Sequence, residues 1–409
     1  MRVLVISQYF WPENFRINDL VRSLKERGCQ VTVLTGIPNY PEGRFYDGYG
    51  LLHNMRQTYY GAEVVRVPLV PRGRGSSIML FLNYISFAFF ASLLSPISIR
   101  KQFDVIFVCQ LSPVTVGLPA IFLKKLLKIP IVFWVLDLWP ESISATGIVK
   151  NKKILNLVDD CVSYIYSKCD KIIVSSKGFI KSIESKGISS EKLEYFPNWY
   201  EPDYSVKQRS SLETQCEIRK LPKGFKVMFA GNIGEAQDFE TILNAAELTK
   251  KYSDIHWIIL GDGRKGDWVK KEISSRGLSD CFHMLGRFSS EAMPYFFAEA
   301  DAMLVTLKKD PIFSLTVPGK IQSYMACAKP IIAAVDGEGN RLITDSCSGL
   351  ASPSGDPDAI AESVKAIYCM PEDQRKKMGE AGKKYCEIKF NREILIEKLE
   401  SLMKEVVLA

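Results

Sequence analysis

Residues 315–339, LTVPGKIQSYMACAKPIIAAVDGEG, carry the side chains whose types and spacing are best suited to chemistry. The pattern predicts a helix that begins near Pro318 and ends before Pro330, followed by a strand over 331–335. Lys320 then falls in the first helical turn, where the helix dipole disfavours a cation by about 0.3–1 kcal/mol unless an anion is also present. The segment therefore predicts a phosphate site at Lys320, with an ordinary surface lysine as the alternative.

Neighbouring residues support the phosphate site. Ser323 lies three residues after Lys320, on the same helical face. Beyond the strand, Asp336-Gly337-Glu338-Gly339 places a carboxylate between two glycines, and ligands of open α/β sheets bind at the carboxyl ends of strands. A cation, a hydroxyl and a carboxylate around one such end suit a phosphate joined to a polyhydroxylated sugar.

Glycine-rich turns follow two other predicted strands in the second half of the chain. Gly231-Asn232-Ile233-Gly234 follows a strand over 226–230, and Gly261-Asp262-Gly263 follows a strand over 256–260. Glycine allows backbone N–H groups to approach phosphate, so the two turns together with Lys320 favour a nucleotide diphosphate. Neither turn matches a Walker loop or GxGxxG, which weakens a dinucleotide interpretation. Taken alone, each turn is better explained as a tight connection.

Three charged residues are candidates in the first half. Arg16 follows QYFWPENF at the start of a predicted helix, and its guanidinium fork binds two phosphate oxygens at once. Asp137 ends an apolar strand in the motif DLWPE, and Glu141 lies in the next turn. Carboxylates at such positions bind hydroxyls or accept protons. An exposed arginine and helix-capping carboxylates are the structural alternatives.

Composition narrows the class of protein. The 409 residues carry a net charge of +7 without a long lysine run, which gives little support to a nucleic-acid partner and allows a mild preference for anionic ligands. The ten cysteines form no CxxC pair, which indicates a reduced, cytosolic protein. His53, His256 and His283 are far apart in the sequence, so we expect no metal site.

Residues 76–99 are uncharged, apolar and long enough to span a bilayer. Basic residues flank them, namely Arg72 and Arg74 before, and Arg100 and Lys101 after. A spanning helix would put two halves of one α/β domain on opposite sides of the membrane. Three interpretations remain open: a buried domain helix, a membrane-surface helix and a true span.

Strand and helix patterns alternate along the whole chain, which predicts an α/β protein with parallel sheets covered on both faces. The pattern breaks at 197–202, where a proline stands at each end, and then begins again. We therefore expect two doubly wound, Rossmann-like domains facing across a cleft. The expected bounds are 1–199, 200–385, and a C-terminal helix over 386–409 that packs back toward the first domain.

Several motifs together resemble those of the retaining glycosyltransferases of family 4, which have the GT-B fold. They are YFWPENFRINDL, GCQVTVLTGIPNYPEG, WVLDLWPES, FPNW, AGNIGEAQDFETIL, ILGDG, HMLGRFSSEAMPYFFAEAD and PGKIQSYMACAKPIIA. The resemblance covers nearly the whole chain and is closest to bacterial enzymes of surface-polysaccharide assembly, including the aminosugar transferases of O-antigen and lipopolysaccharide assembly. It implies a nucleotide-sugar donor held mainly by the second domain and an acceptor held by the first.

The resemblance also implies roles for individual residues. The catalytic group is Lys320, Arg16, Asp137 and Glu141, and the donor-binding residues are Gly231, Asn232, Gly234, Gln237, Gly261, Gly263, Arg287, Ser323 and Glu338. The chain departs from the family pattern at four places. Asn232 and Gln237 stand where many members have an arginine and a lysine, Ser323 stands where a glutamate is usual, and a histidine of the first domain is missing near Asp137. Lys320 and Arg16 would then carry more of the pyrophosphate charge, and Glu338 would take over hydroxyl recognition.

The resemblance implies transfer of a sugar from a UDP-linked donor to a lipid-diphosphate-linked saccharide, without a metal or other cofactor. The expected location is the inner face of the cytoplasmic membrane, as a peripheral protein. A non-hydrolysing UDP-sugar epimerase shares the two-domain architecture and is one alternative. A non-catalytic nucleotide-sugar-binding scaffold subunit is another.

Overall fold

The structure, a computed structural model, describes residues 1–73, 76–99, 102–145, 149, 151–200 and 211–409. Its chain divides into two compact units, Met1–Phe196 with Glu393–Ala409, and Pro197–Arg392. The boundaries predicted from the sequence were 199/200 and 385/386, and the second of these falls inside a helix that continues to Lys389. Of the predicted linker, Glu201 and Pro202 lie outside the described residues, as do Arg74, Arg100 and Lys101 of the predicted membrane flanks.

The first unit is built on an eight-stranded sheet with the order β3-β4-β2-β1-β5-β6-β7-β8, parallel except at the β3–β4 pair. Its strands are β1 Arg2–Ile6, β2 Gln30–Gly36, β3 Arg56–Tyr59, β4 Ala62–Val67, β5 Val105–Gln110, β6 Ile131–Val135, β7 Lys171–Val174 and β8 Leu193–Tyr195. Its helices are α1 Arg16–Glu26, α2 Ser77–Ser98, α3 Gly117–Leu127, α4 Glu141–Ala145, α5 Lys152–Lys168, α6 Gly178–Ser185 and, from the chain end, α16 Arg392–Leu408.

The second unit is built on a six-stranded parallel sheet with the order β11-β10-β9-β12-β13-β14. Its strands are β9 Phe225–Ala230, β10 Ile255–Leu260, β11 Phe282–Gly286, β12 Ala302–Thr306, β13 Ile331–Ala334 and β14 Gly349–Ser352. Its helices are α7 Leu212–Arg219, α8 Phe239–Thr249, α9 Gly266–Ser275, α10 Met293–Ala298, α11 Pro311–Ser314, α12 Lys320–Ala326, α13 Gly337–Ser346, α14 Pro357–Cys369 and α15 Glu372–Lys389.

Both sheets have apolar side chains on each face, because helices cover them on both sides. In the second unit, alternate residues of the central strand β9 enter two separate core clusters, with Val227 and Phe229 in one and Met228 and Ala230 in the other. This confirms the predicted α/β architecture of two doubly wound domains.

The sequence prediction missed the β3–β4 hairpin. These strands pair antiparallel from Arg56 opposite Val65 to Tyr59 opposite Ala62, and they are joined by Tyr60-Gly61. Both turn residues have a positive φ, 45° and 79°, as a two-residue hairpin turn requires. Tyrosine is unusual at such a position, so the local sequence gave a weak turn signal.

Helix α16 belongs to the first unit, although it lies at the end of the chain. Arg27 Nε lies 3.0 Å from a carboxylate oxygen of Glu400, and Lys398 Nζ lies 2.5 Å from one of Glu194. Apolar residues of the same helix, including Ile396, Leu399 and Met403, are fully buried. The C-terminal helix is therefore attached to the first unit by both packing and ion pairs.

Candidate functional site

The candidate donor site lies at the carboxyl edge of the second unit's sheet. Strand β9 lies between β10 and β12, so the strand order reverses direction next to β9. Such a reversal leaves a crevice beyond the strand ends, and this is where open α/β sheets bind ligands. The two glycine-rich turns predicted from the sequence follow β9 and β10 at this edge.

Gly231 and Gly261 bring the two turns into direct contact. Gly231 N–H donates to Leu260 O at 2.9 Å, and Gly261 N–H donates to Gly286 O at 2.7 Å. Their φ angles are 145° and 136°, values that residues with a side chain rarely adopt. A Cβ atom on Gly261 would lie 1.9 Å from Gly231 O. Any side chain at Gly261 would therefore push the β9 turn out of place.

The other predicted residues of these turns lie close to one another. Gly234 N–H donates to Gln237 Oε1 at 3.2 Å, and a Cβ on Gly234 would lie 2.4 Å from Asn232 Nδ2. A Cβ on Gly263 would lie 2.4 Å from Ile233 O. Asn232 is exposed, whereas Gln237 uses its side-chain oxygen to hold the turn. The structure thus brings these four predicted donor-binding residues together.

Lys320 is the first residue of α12, and its ammonium group lies beneath the β9 turn. Nζ lies 3.7 Å from the centroid of the Phe229 ring and 3.1 Å from where a Cβ on Gly231 would be. It is buried and has no hydrogen-bond partner among the described residues. Burial lowers the pKa of Lys320 to about 7. An unpaired buried ammonium is costly to the fold, so this position favours the arrival of an anion.

Tyr324 fixes the end of β9, a role that the sequence did not reveal. Its hydroxyl accepts from Ala230 N–H at 2.9 Å and donates to Ala230 O at 3.1 Å. The ring is buried and packs edge-on against Phe297, with a centroid distance of 5.3 Å. Helix α12 therefore carries both the lysine and the hydroxyl that holds the neighbouring strand end.

We expect Tyr324→Phe to lower the stability of the second unit by about 1–3 kcal/mol, because a buried backbone N–H loses its partner. The affinity for a nucleotide diphosphate should fall with it, since Ala230 leads directly into Gly231. Calorimetric unfolding and titration with UDP would measure both effects. Tyr385→Phe, which changes a partly buried tyrosine of the same unit, is the matched control. Equal behaviour of the two variants would contradict this role of Tyr324.

The remaining predicted residues of the second unit lie at three different elements. Ser323 is half-buried on α12, and Arg287 is exposed directly after β11. Glu338 lies in the first turn of α13, and its carboxylate pairs with Arg341 at 2.8 Å. Glu338 would have to exchange this ion pair for a sugar hydroxyl. The exchange costs little, because exposed ion pairs are weak.

In the first unit, the predicted carboxylates are engaged by protein groups. Asp137 accepts hydrogen bonds from Trp139 Nε1 at 3.0 Å and from the Ser142 hydroxyl, and burial raises its pKa. Glu141 accepts from Ser182 Oγ at 2.9 Å and lies 3.5 Å from Lys186 Nζ. These are contacts with side chains and not helix caps, and Glu141 Oε2 is buried without a hydrogen-bond partner among the described residues.

Arg16 is the first residue of α1 and is half-buried. It follows the β1–α1 loop, which ends beside the carboxyl edge of the first unit's sheet. This is the edge at which Asp137 also lies, because β1 and β6 are parallel and separated by β5 alone.

Glu13 is not predicted from the sequence as a site residue, yet its side chain is buried at this edge. Its Oε1 accepts from Asn39 N–H at 2.8 Å and from Tyr40 N–H at 2.7 Å, and its Oε2 accepts from Phe10 N–H at 3.3 Å. Burial raises the pKa of Glu13 to about 7, although the three N–H groups oppose the shift. One side chain thus ties the loop after β1 to the loop after β2.

The two histidines of the second unit form a pair. His256 Nδ1 lies 3.2 Å from His283 Nε2, on adjacent strands near their amino ends. Burial, followed by the charge of His256, lowers the pKa of His283. Among the residues that the structure describes, no group of three or more His, Cys, Asp or Glu side chains is placed to hold a metal ion.

Two family models match most of the chain. The model described as "Glycosyl transferase 4-like domain" matches residues 14–199, and the model described as "Glycosyl transferases group 1" matches residues 213–385. The chain belongs to the glycosyltransferases. The resemblance predicted from the motifs is therefore confirmed.

Curated relatives of this glycosyltransferase include two bacterial proteins. It is 31% identical over 247 residues to "Probable glycosyltransferase WbjE" of Pseudomonas aeruginosa, covering 57% of this chain and 59% of that protein. It is 24% identical over 336 residues to "Putative colanic acid biosynthesis glycosyl transferase WcaI" of Escherichia coli K12, covering 80% and 81%. The match to the first of these thus spans less than two thirds of that protein.

Solved structures establish the fold of the glycosyltransferase as GT-B. Sucrose-phosphate synthase from Thermosynechococcus elongatus superposes with a TM-score of 0.77 at 14% identity, covering 99% of this chain and 98% of the other. Anabaena Alr3699/HepE in complex with UDP superposes with a TM-score of 0.71 at 14% identity, covering 99% and 100%. At this level of identity the likeness concerns the fold alone.

Proposed function

We propose that the protein is a retaining glycosyltransferase that moves a sugar from a UDP-linked donor to a lipid-diphosphate-linked saccharide during surface-polysaccharide synthesis. An N-acetylated aminosugar is the proposed cargo, in line with the O-antigen enzymes that the motifs resemble. The proposed location is the inner face of the cytoplasmic membrane, where the protein binds peripherally.

The observation that carries the donor assignment is the buried, unpaired ammonium of Lys320 beneath the Gly231 turn. A diphosphate above that turn would face this cation, and the glycines would allow it to approach the backbone closely. At the adjacent turn, Gly261 to Gly263, a second phosphate could also approach the backbone closely. Together they suit two linked phosphates better than one neutral ligand.

Names of similar proteins support the choice of nucleotide and pathway. Alr3699/HepE has been solved with UDP-glucose, and the Escherichia coli trehalose-6-phosphate protein with UDP-2-fluoro glucose. Among the curated relatives, WcaI is named for colanic acid biosynthesis. A UDP-sugar and a bacterial surface polysaccharide are therefore the proposed substrate and pathway.

In the proposed reaction, the bond between the anomeric carbon and the donor phosphate breaks as the acceptor hydroxyl attacks from the same face. The departing phosphate oxygen takes the acceptor proton, so that no protein nucleophile is needed. Lys320 stabilises the charge that develops on the diphosphate, in the way that fixed cations and N–H groups stabilise other oxyanions. The proposal includes no metal, because Lys320 supplies the positive charge.

Transfer is tested by incubating the protein with UDP-, GDP- and dTDP-sugars and a short polyprenyl-diphosphate-linked saccharide. Mass spectrometry of the lipid product identifies donor and acceptor, and NMR of the new linkage reports whether the anomeric configuration is retained. Reactions with EDTA should proceed at an unchanged rate. A donor epimer formed without acceptor would favour the epimerase alternative, and nucleotide binding without turnover would favour the scaffold alternative.

Helix α2 supports membrane binding. Among the described residues it is long and apolar enough to cross a bilayer. However, β4 precedes it and β5 follows it in the same sheet, and Asn83, Phe87 and Ala91 pack into the first unit. Its opposite face exposes large apolar side chains, namely Ile78, Phe81, Leu82, Ile85, Phe89, Leu93 and Ile97. We therefore propose a surface helix rather than a span.

The neighbouring helix α3 extends this membrane face. It packs beside α2 and exposes Phe122 and Leu126, with the exposed cations Lys125 and Lys128 close to them in the sequence. An apolar face with lysines at its border is the composition that binds anionic bilayers. Single exposed apolar residues are common on proteins, but a helix-long stripe of them is not.

We expect the triple change Phe81→Ser, Phe89→Ser and Leu93→Ser to reduce binding to anionic liposomes at least about tenfold. In the wild type, each of these apolar side chains moves from water into the membrane on binding, and serine loses that gain in free energy. Phe87 stays unchanged because it is fully buried. The control replaces Leu51, Leu52 and Leu408, which are exposed outside α2, with serine. Sedimentation with liposomes measures both variants. Unchanged binding by a folded α2 variant would reject the surface-helix proposal.

A further inference from the structure

A cluster of aromatic rings surrounds Arg72 at the carboxyl edge of the first unit's sheet. The ring centroids of Tyr9 and Phe15 lie 5.4 Å apart, and those of Phe15 and Tyr40 lie 5.3 Å apart. The Arg72 guanidinium carbon lies 5.1 Å from the Tyr40 centroid and 5.8 Å from that of Tyr9. The cluster joins the loops that follow β1, β2 and β4.

Among the residues that the structure describes, no carboxylate neutralises the charge of Arg72. Its Nη1 donates to Tyr9 Oη at 2.9 Å, and no described carboxylate forms an ion pair with it. Other arginines of the unit do have such partners, for example Arg2 with Asp104 and Arg27 with Glu400. A guanidinium offers five N–H donors, so most donors of Arg72 remain for a ligand.

Buried amides hold this arginine in place. The backbone N–H of Arg72 donates to Asn39 Oδ1 at 3.1 Å. Asn83 Nδ2, from the buried face of α2, donates to Val70 O at 2.6 Å and to Asn39 Oδ1 at 3.3 Å. Gln8 Nε2 donates to Asn83 Oδ1 at 2.7 Å. The network fixes Arg72 relative to α2, the helix whose other face exposes the apolar stripe.

We propose that Arg72, framed by Tyr9, Phe15 and Tyr40, binds a phosphate of the acceptor's lipid diphosphate. The guanidinium takes two phosphate oxygens, and the exposed Tyr40 ring contacts the adjacent sugar or the first prenyl unit. The hydrogen bonds of Asn39 and Asn83 link Arg72 to the packed face of α2, whose other face is the proposed membrane contact. This inference rests on the proposed function, since it assigns the acceptor part of the same reaction.

The test compares farnesyl diphosphate with farnesol, both below their micelle concentrations. Wild-type protein should bind the diphosphate more tightly than the alcohol. Arg72→Gln should weaken diphosphate binding about 10–100-fold and leave farnesol binding and UDP affinity unchanged. Arg72→Lys keeps the charge but loses the guanidinium fork, so its affinity for farnesyl diphosphate should lie between those of wild type and Arg72→Gln. The control is Arg22→Gln, because Arg22 also lies over a tyrosine ring but pairs with Glu26 at 2.7 Å.

Each other outcome overturns the assignment. If Arg72→Gln binds farnesyl diphosphate like wild type, Arg72 is not the phosphate site. If the variant instead loses UDP affinity, the arginine serves the donor, and if it loses only binding to anionic vesicles, the phosphate belongs to bulk phospholipid. Failure of the proposed function gives a different result: no sugar transfer from any donor, with the preference for farnesyl diphosphate over farnesol intact. Unchanged thermal unfolding of Arg72→Gln and Arg72→Lys excludes misfolding as the cause.

Discussion

Lys320→Met should reduce the turnover of sugar transfer at least about a hundredfold, while making the second unit more stable. The loss of turnover follows from removing the cation that faces the departing diphosphate, and single groups of this kind contribute about that much to catalysis. Methionine retains the length of the side chain and fills the space beside Phe229 and Gly231. Initial rates with saturating donor and acceptor measure the first effect.

The gain in stability follows from the pKa of Lys320, which burial lowers to about 7. In the unfolded chain the lysine returns to its ordinary value of 10.5, so the unfolded state binds more protons between these two pH values. Wild-type stability should therefore rise as pH increases from about 7 to 10.5. Lys320→Met removes this titration, so we expect it to be more stable than wild type by roughly 1–4 kcal/mol near pH 7, with a smaller difference at high pH.

Lys329→Met is the matched control, because Lys329 is also a lysine of the second unit whose pKa is lowered by burial, but it has hydrogen-bond partners. Its Nζ donates to Ala298 O at 2.6 Å and to Ala300 O at 2.7 Å. We expect this variant to be less stable than wild type and to keep its turnover. Calorimetric unfolding at several pH values separates the two lysines. Destabilisation of Lys320→Met by as much as Lys329→Met would show that Lys320 is a structural lysine.

Sequence reasoning located Lys320 for a reason that the structure only partly supports. The sequence predicts a helix that begins near Pro318 with Lys320 in its first turn, and α12 begins at Lys320. Its unusual state, however, comes from burial beneath the β9 turn, about ninety residues earlier in the chain. Gly231 and Gly261 were also found, because glycine at a strand end is a local signal. The contact between their two turns depends on strand order, which no local pattern contains.

The first unit shows the limit of local patterns more clearly. Asp137 and Glu141 were chosen because carboxylates at strand ends are often functional, yet both are held by neighbouring protein groups. The sequence does not predict Glu13 or Arg72 as site residues, because their environments are made by residues that are distant in the sequence. Asn39 and Tyr40 lie in the next loop, and Asn83 lies on α2.

The same limit applies to the uncharged segment 76–99. Its composition leaves three interpretations open. They differ in which face of the helix packs against the protein, and the length of the segment does not distinguish them. Asn83 is spaced so that it lies on the packed face, whereas Phe81 and Phe89 lie on the exposed one. A polar residue inside an apolar helix therefore marked the side that contacts the protein.

Glu13→Ala should lower the stability of the first unit by about 3 kcal/mol or more, the largest loss that we expect from a single change outside the donor site. Three backbone N–H groups, those of Phe10, Asn39 and Tyr40, would lose their acceptor in a buried place. Because Tyr40 also frames Arg72, binding of farnesyl diphosphate should weaken as well. Calorimetry, with hydrogen exchange of residues 8–41, would locate the effect.

Glu13→Gln separates the hydrogen bonds from the charge. Its amide oxygen still accepts from Asn39 and Tyr40, so we expect a smaller loss. Burial raises the pKa of Glu13 to about 7, above its ordinary value of 4.5. The protonated form is thus the better tolerated one, and wild-type stability relative to Glu13→Gln should be greatest below pH 4.5 and fall as pH rises through 7. Glu42→Ala, an exposed acid of the neighbouring loop, should change neither quantity. If Glu13→Ala unfolds at the wild-type temperature, the two loops are held by other contacts, and the arginine site does not depend on this carboxylate.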